Sequence, residues 1–247
     1  MSSSQQGTTR RDFLKATGQV AAASALTGVV MPHVHAGENN TIQIALIGCG
    51  GRGTGAASDA LSVQKILNVP IKLVALGDVF ADRVERSFKS LKERFADQVD
   101  VPEDRLFVGF DAYRKAMDCL RPGDVAIFAT PPAFRWVFFQ YAIEKNLNVF
   151  MEKPVTVDGP TSRRMFELGK KSVEKNLKVG VGLMVRHCRG RQELKKRIED
   201  GEIGEIQFLH AYRMGGPAAN IGPKPENISE LRYQIRQFHS FIWASGG

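Results

Sequence analysis

Ile42-Gln43-Ile44-Ala45-Leu46-Ile47, followed at once by Gly48-Cys49-Gly50-Gly51-Arg52-Gly53, is the stretch that decides the fold. A short apolar run rich in isoleucine reads as a buried strand, and the glycines that follow read as a loop with three separate demands. The first glycine lets the chain turn tightly off the strand. The second lets backbone approach a pyrophosphate, and the third lets the next helix pack close to the sheet. Backbone N–H groups at that helix start would face phosphates, where the helix dipole favours negative charge. The helix itself is announced by the small residues Ala56, Ala57 and Ala60 together with Leu61.

Working outward, a second apolar run, Ile71 to Leu76, ends at Gly77-Asp78, and Asp78 lies 25 residues past Gly53. An acidic residue at that strand end accepts hydrogen bonds from the ribose hydroxyls of an adenosine. It also repels a 2′-phosphate, so NAD is expected, with NADP as the alternative that Arg83 admits by reaching back. Further strands are expected at Leu106 to Phe110, Val125 to Ala129, Asn148 to Met151 and Val179 to Met184. Between them lie helical signals, such as Val84, Phe88, Leu91 and Phe95 on one stripe and Trp136, Phe139 and Ile143 on another. This alternation predicts an α/β fold with a doubly wound parallel sheet over residues 37–184.

The fourth strand ends in Thr130-Pro131-Pro132 and the fifth in Glu152-Lys153-Pro154. A strand that stops at a proline delivers its charged side chain to the carboxyl edge of the sheet, where open α/β folds bind ligands. Lys153 is therefore the first candidate for chemistry. After residue 185 the character changes. A helix around Arg191 to Asp200 closes at Gly201, and Glu205 to Arg213 alternates as a strand, with Ile206, Phe208, His210 and Tyr212 on one face. On such a strand His210 is expected to pack rather than to catalyse.

The chain has 247 residues, 43% hydrophobic and 24% charged, the balance of a globular protein. Of its formal charge of +8, the first 36 residues carry +2, and the remaining +6 is interspersed with acids. No long basic block calls for nucleic acid. The three cysteines, Cys49, Cys119 and Cys188, are scattered, and neither they nor the histidines have metal-ligand spacing, so no metal is expected. In Cys49 the backbone is expected to matter more than the thiol.

Residues 1–36 read as an export signal. Thr9-Arg10-Arg11-Asp12-Phe13-Leu14-Lys15 matches the twin-arginine pattern, an apolar stretch from Val20 to Met31 follows, and Val34 and Ala36 set a cleavage point before Gly37. At 12 residues that stretch is too short to span a bilayer. The expected partner is the twin-arginine export machinery, and the expected destination the periplasm or another exported location. Outside the cytoplasm there is no free NAD pool, so the cofactor is expected to be tightly held.

Taken together, Gly48 to Gly53, Asp78, Ala129-Thr130-Pro131-Pro132, Glu152-Lys153-Pro154 and Ile203-Gly204-Glu205-Ile206 resemble the Gfo/Idh/MocA family of oxidoreductases over residues 41–247. The resemblance implies a Rossmann domain followed by a second α/β domain on an open, largely antiparallel sheet, of which residues 185–247 are the incomplete beginning. It implies a sugar or cyclitol substrate, oxidised at a secondary hydroxyl by hydride transfer, and a homo-oligomer when full length. It implies that Lys153 meets the substrate hydroxyl and that Glu152, Thr130 and Pro131 lie along the cofactor bound by Gly48, Gly50, Gly51, Arg52, Gly53 and Asp78. The family's proton-handling Asp and His follow a Trp-x-Ser-Gly-Gly region, where this sequence stops. Arg186 and His187 are the nearer candidates to line the substrate pocket. Two other readings stand beside this one: an NAD-dependent glycoside hydrolase working through transient oxidation, and a nucleotide-binding fragment without turnover.

Overall fold

In the computed structural model, residues 40–246 are described, except 213 and 217–220. The export pattern at 9–15 and the apolar stretch after it lie outside the described residues. Six strands form one parallel sheet: β1 (Ile42–Ile47), β2 (Ile71–Asp78), β3 (Leu106–Val108), β4 (Val125–Phe128), β5 (Asn148–Met151) and β6 (Val179–Val181), in the spatial order β3-β2-β1-β4-β5-β6. Helices α1 (Gly51–Ser62), α2 (Ala81–Arg94), α3 (Ala112–Asp118), α4 (Arg135–Glu144) and α5 (Gly159–Glu174) connect them. Beyond the sheet follow α6 (Arg189–Glu199) and α7 (Glu230–Arg236), with single-turn helices at Gln64–Leu67 and Ile242–Ser245.

The strands are short and continuously apolar because helices cover both faces of the sheet. Successive residues of β1 alternate between two cores. Ile44 and Leu46 pack with Leu61, Val84 and Leu91 from α1 and α2. Ala45 and Ile47 pack with Met117, Phe139 and Ala142 from α3 and α4. Leu46, Leu61, Leu73, Leu76 and Leu91 are all at 0% exposure, each contributing about 1.5–3 kcal/mol of transfer free energy. At the amino edge of the sheet the buried Asp124 accepts N–H groups from Gln43 at 3.0 Å and from Arg121 at 2.9 Å. Helix α5 begins in a capping box, where the Asp158 side chain accepts the Thr161 N–H at 2.7 Å.

Three expectations need correction. The third strand stops at Val108, because Gly109 turns the chain with φ +127°. The sixth stops at Val181, and a 3₁₀ turn, Met184–His187, takes over. Glu205 to Tyr212 forms no ladder, and among the described residues there is no second sheet. An alternating segment becomes a strand only when a neighbour takes up its backbone groups, and no described segment does so here. Its apolar face stays open, with Phe208 77% and Tyr212 73% exposed. His210 is exposed rather than packed, its ring stacked on Tyr212 at 4.0 Å between centroids.

Candidate functional site

The sheet order reverses between β1 and β4, so the loops leaving their carboxyl ends diverge and open a crevice. A cleft of about 2000 Å³ occupies it, lined by the glycine loop, Asp78, Thr130, Pro131, Glu152 and Lys153 among others. The glycines differ in what they answer to. Gly48 has φ +96°, and a Cβ there would lie 2.7 Å from the Ala129 carbonyl carbon. A Cβ on Gly53 would lie 1.8 Å from the Gly48 oxygen, so the third glycine is what lets α1 sit against the loop. Gly50 and Gly51 are different: a Cβ on either meets no protein atom within 4 Å. Protein packing does not require those glycines, so the backbone there is left open to a ligand lying against the loop. Gly50 caps α1 without a side chain and the first turn has no acid, which leaves the helix start open to an anion.

Asp78 closes β2 at the edge of the cleft, 9% exposed. Its carboxylate accepts the Cys49 N–H at 2.7 Å and the Phe80 N–H at 3.0 Å. Burial raises its pKa, against the pull of these N–H groups and of Arg83. The Cys49 backbone thus ties the glycine loop to the end of β2, while its thiol is buried and pushed well up by desolvation and by Asp78. Arg83 lies over the Phe80 ring at 5.0 Å, and Arg236 of α7 over the same ring at 4.8 Å.

On the other side of the switch point stand the loops after β4 and β5. Glu152 is 6% exposed, and its Oε1 accepts from Arg52 Nη2 at 2.6 Å, which raises the guanidinium pKa. Lys153 is exposed in the cleft and its bond to Pro154 is cis. Thr130 presents a buried Oγ1 with no hydrogen-bond partner. Arg186 lines the cleft, and His187, one residue on, is not among its lining residues.

Two contributors were missed by reading the sequence. Arg135, the first residue of α4, is 1% exposed. It donates to the Glu152 carbonyl through Nη1 and to the Thr130 carbonyl through Nη2 at 2.7 Å. Its signal was a lone charge inside the apolar run Phe134 to Phe139. The second is the segment around α7, whose Ile235, Arg236, Phe238 and His239 line the cleft, with Arg236 beside the chain that leaves β2. Arg236 is held there by Asp82 at 2.6 and 3.1 Å. No periodicity links positions so far apart in the chain.

No family model matches the chain. It is 31% identical over 140 residues to an inositol 2-dehydrogenase of Corynebacterium glutamicum, covering 56% of this chain and 40% of that protein. It is 25% identical over 195 residues to the dTDP-3,4-didehydro-2,6-dideoxy-alpha-D-glucose 3-reductase of Actinomadura kijaniata, covering 79% and 50%. Its relatives are sugar and cyclitol oxidoreductases. The chain spans about half or less of the length of these two proteins. Among solved structures, the myo-inositol 2-dehydrogenase of Lactobacillus plantarum superposes with a TM-score of 0.52 at 23% identity, over 67% of this chain and 43% of that one. The two share the parallel α/β fold.

Proposed function

We propose that the chain serves an exported NAD(P)-dependent oxidoreductase that acts on a secondary hydroxyl of a sugar or cyclitol. The observation that carries this reading is the division of one cleft by the switch point. Asp78 stands on one side of the glycine loop, Lys153 on the other. A dinucleotide whose pyrophosphate sits at the helix start has its adenosine ribose toward β2 and its reactive ring toward β4 and β5. The residues fit such a group: Gly50 leaves room that no protein atom uses, and Thr130 brings a buried hydroxyl that lacks a partner.

A bound nicotinamide would supply the hydride acceptor or donor. This chain's residues would hold and orient it. Gly48, Gly50, Gly51 and Gly53 offer backbone to the pyrophosphate, with Arg52 beside them. Asp78 accepts from the ribose hydroxyls, which favours NAD, with Arg83 close enough to admit NADP. Thr130, Pro131 and Glu152 wall the ring end. Lys153 would place an ammonium beside the substrate oxygen, where a cation stabilises the negative charge that develops as a base takes the hydroxyl proton. Arg186, at the cleft wall, is available to substrate hydroxyls. The pattern Thr9 to Lys15 supports export by the twin-arginine route, and an exported enzyme without a free cofactor pool is served by a tightly held one. The likeness to inositol dehydrogenases and a sugar reductase supports the substrate class; the homo-oligomer rests on the family resemblance alone.

Titration of the purified protein with NADH, followed by a screen of cyclitols and sugars with NAD+ at 340 nm, tests the reading. Binding with substrate-dependent absorbance is expected. A protein that binds neither NADH nor NADPH would sink it.

A further inference from the structure

We propose that Arg135 is a positioning residue for the reactive half of the cleft: one guanidinium grips the two strand-end loops after β4 and β5 and so fixes the direction of Lys153. The inference rests on the dinucleotide reading above and assigns a role to a residue outside the family motifs.

The location of Arg135 is costly in two respects. At 1% exposure it holds its charge out of water, which costs several kcal/mol per ion unless well compensated. It is also the first residue of α4, where the helix dipole disfavours a cation. Burial pulls its pKa down to about 10, with partial compensation from Glu152, so it remains charged at neutral pH. A buried charge retained for stability alone would be better served by an apolar side chain of similar volume.

What the guanidinium touches indicates its use. Its hydrogen bonds go to two backbone carbonyls on two different loops. Thr130 lies two residues beyond β4, and Glu152 one residue beyond β5. These strands are paired neighbours, with Phe128 opposite Met151. The ladder ends when the Glu152 N–H meets the Phe128 carbonyl at 2.9 Å. Past that point the sheet no longer holds the two chains together, and Arg135 takes over. The carbonyl it holds on Glu152 belongs to the peptide unit that carries the Lys153 nitrogen, so gripping it orients the backbone from which Lys153 projects. Arg135 is a rigid planar fork, which can span two acceptors at once; lysine cannot do so from the same position.

The chain would be compared with Arg135→Met and Arg135→Lys by calorimetric titration with NADH and with ADP-ribose, which lacks the nicotinamide ring. Melting temperatures would be recorded alongside. Arg135→Met is expected to shrink the preference for NADH over ADP-ribose about tenfold, because misplaced groups lose binding to the ring alone, with ADP-ribose affinity held within about twofold. Arg135→Lys, which keeps a cation and one contact, should fall between and carries the test if the methionine variant does not fold. Equal losses for both ligands would mean a merely structural role and overturn the proposal, as would an unchanged ratio. If the wild-type chain bound neither ligand, the dinucleotide reading itself would fail.

Discussion

Arg52 and Glu152 stand one hundred residues apart in sequence and meet at 2.6 Å, joining the glycine loop to the end of β5. The pair straddles the switch point, so it fixes the width of the cleft where the two halves of a dinucleotide would part. Glu152 is pressed into place from behind. A Cβ on Gly182 would stand 2.8 Å from both of its carboxylate oxygens. Gly182→Ala is therefore expected to displace a side chain, not backbone. NADH affinity should fall about tenfold, the value of one charge-assisted hydrogen bond, with the melting temperature nearly unchanged. Fluorescence titration beside a melting curve would show it, and a large loss of stability would contradict it.

The glycines of the loop divide into two classes by what a methyl group would strike. Gly53→Ala must move the Gly48 carbonyl, 1.8 Å from the new Cβ. A cost of about 3 kcal/mol lowers the melting temperature by roughly 6–12 °C in a chain of this size. Gly50 has φ −70° and open space around it. Gly50→Ala should leave stability unchanged or raise it by about 0.4–1 kcal/mol, yet weaken NADH binding. Parallel melting and titration of both variants would decide, and equal losses of stability would refute the distinction.

Asp82 is held below the ordinary carboxylate range, first by its hydrogen bond to Arg236. A depressed carboxylate pKa means stabilisation that is complete above the unfolded value, about 3.9, and is lost as pH falls through the folded one. The tie that seats α7 should thus loosen below about pH 4. Both partners are substantially exposed, so it contributes at most about 1 kcal/mol and should also yield to salt. Trp243, edge-on to Phe134 at 6.0 Å, reports the event. In a Trp136→Phe background its emission should shift red over that pH range, and Asp82→Asn should show the shifted emission already at pH 6. An identical pH profile in both proteins would disprove the assignment.

Asp78 has the opposite shift, raised chiefly by desolvation. In the apo protein the folded state therefore binds its proton more tightly than the unfolded state. Stability contributed by this group falls as pH rises from about 3.9 through the raised value. Ligand binding runs the other way, because ribose hydroxyls need the ionised acceptor. NADH affinity should climb with pH across the same window. Asp78→Asn should flatten that profile and lower the plateau about tenfold or more, measured by titration between pH 4 and 7. A wild-type affinity independent of pH would count against Asp78 as the ribose acceptor.

How far the sequence carried the reading depends on the range of the interaction. The sheet was legible because each strand is a local apolar run, and the loop because its glycines follow one another directly after the first of those runs. Asp78 and Lys153 were legible because strand ends are points of known geometry. Arg135 was not, since its meaning lies in two carbonyls that approach it only after β4 and β5 have paired. Arg236 escaped for the same reason, its partner being 154 positions away. Glu205 to Tyr212 failed in the reverse sense: its alternation is sound local evidence for a strand, but pairing is a property of neighbours.

The distance between Asp82 and Arg236 has a further consequence, in time. On the ribosome the last strand of the sheet is complete at Val181, and Arg236 is added 55 residues later. At elongation rates of about 5–20 residues per second, that separates the synthesis of the last strand from that of Arg236 by roughly 3–11 s. The segment that caps the Asp78 end of the cleft is thus made after every strand of the sheet, and Asp82 is made well before the partner that ties it to α7.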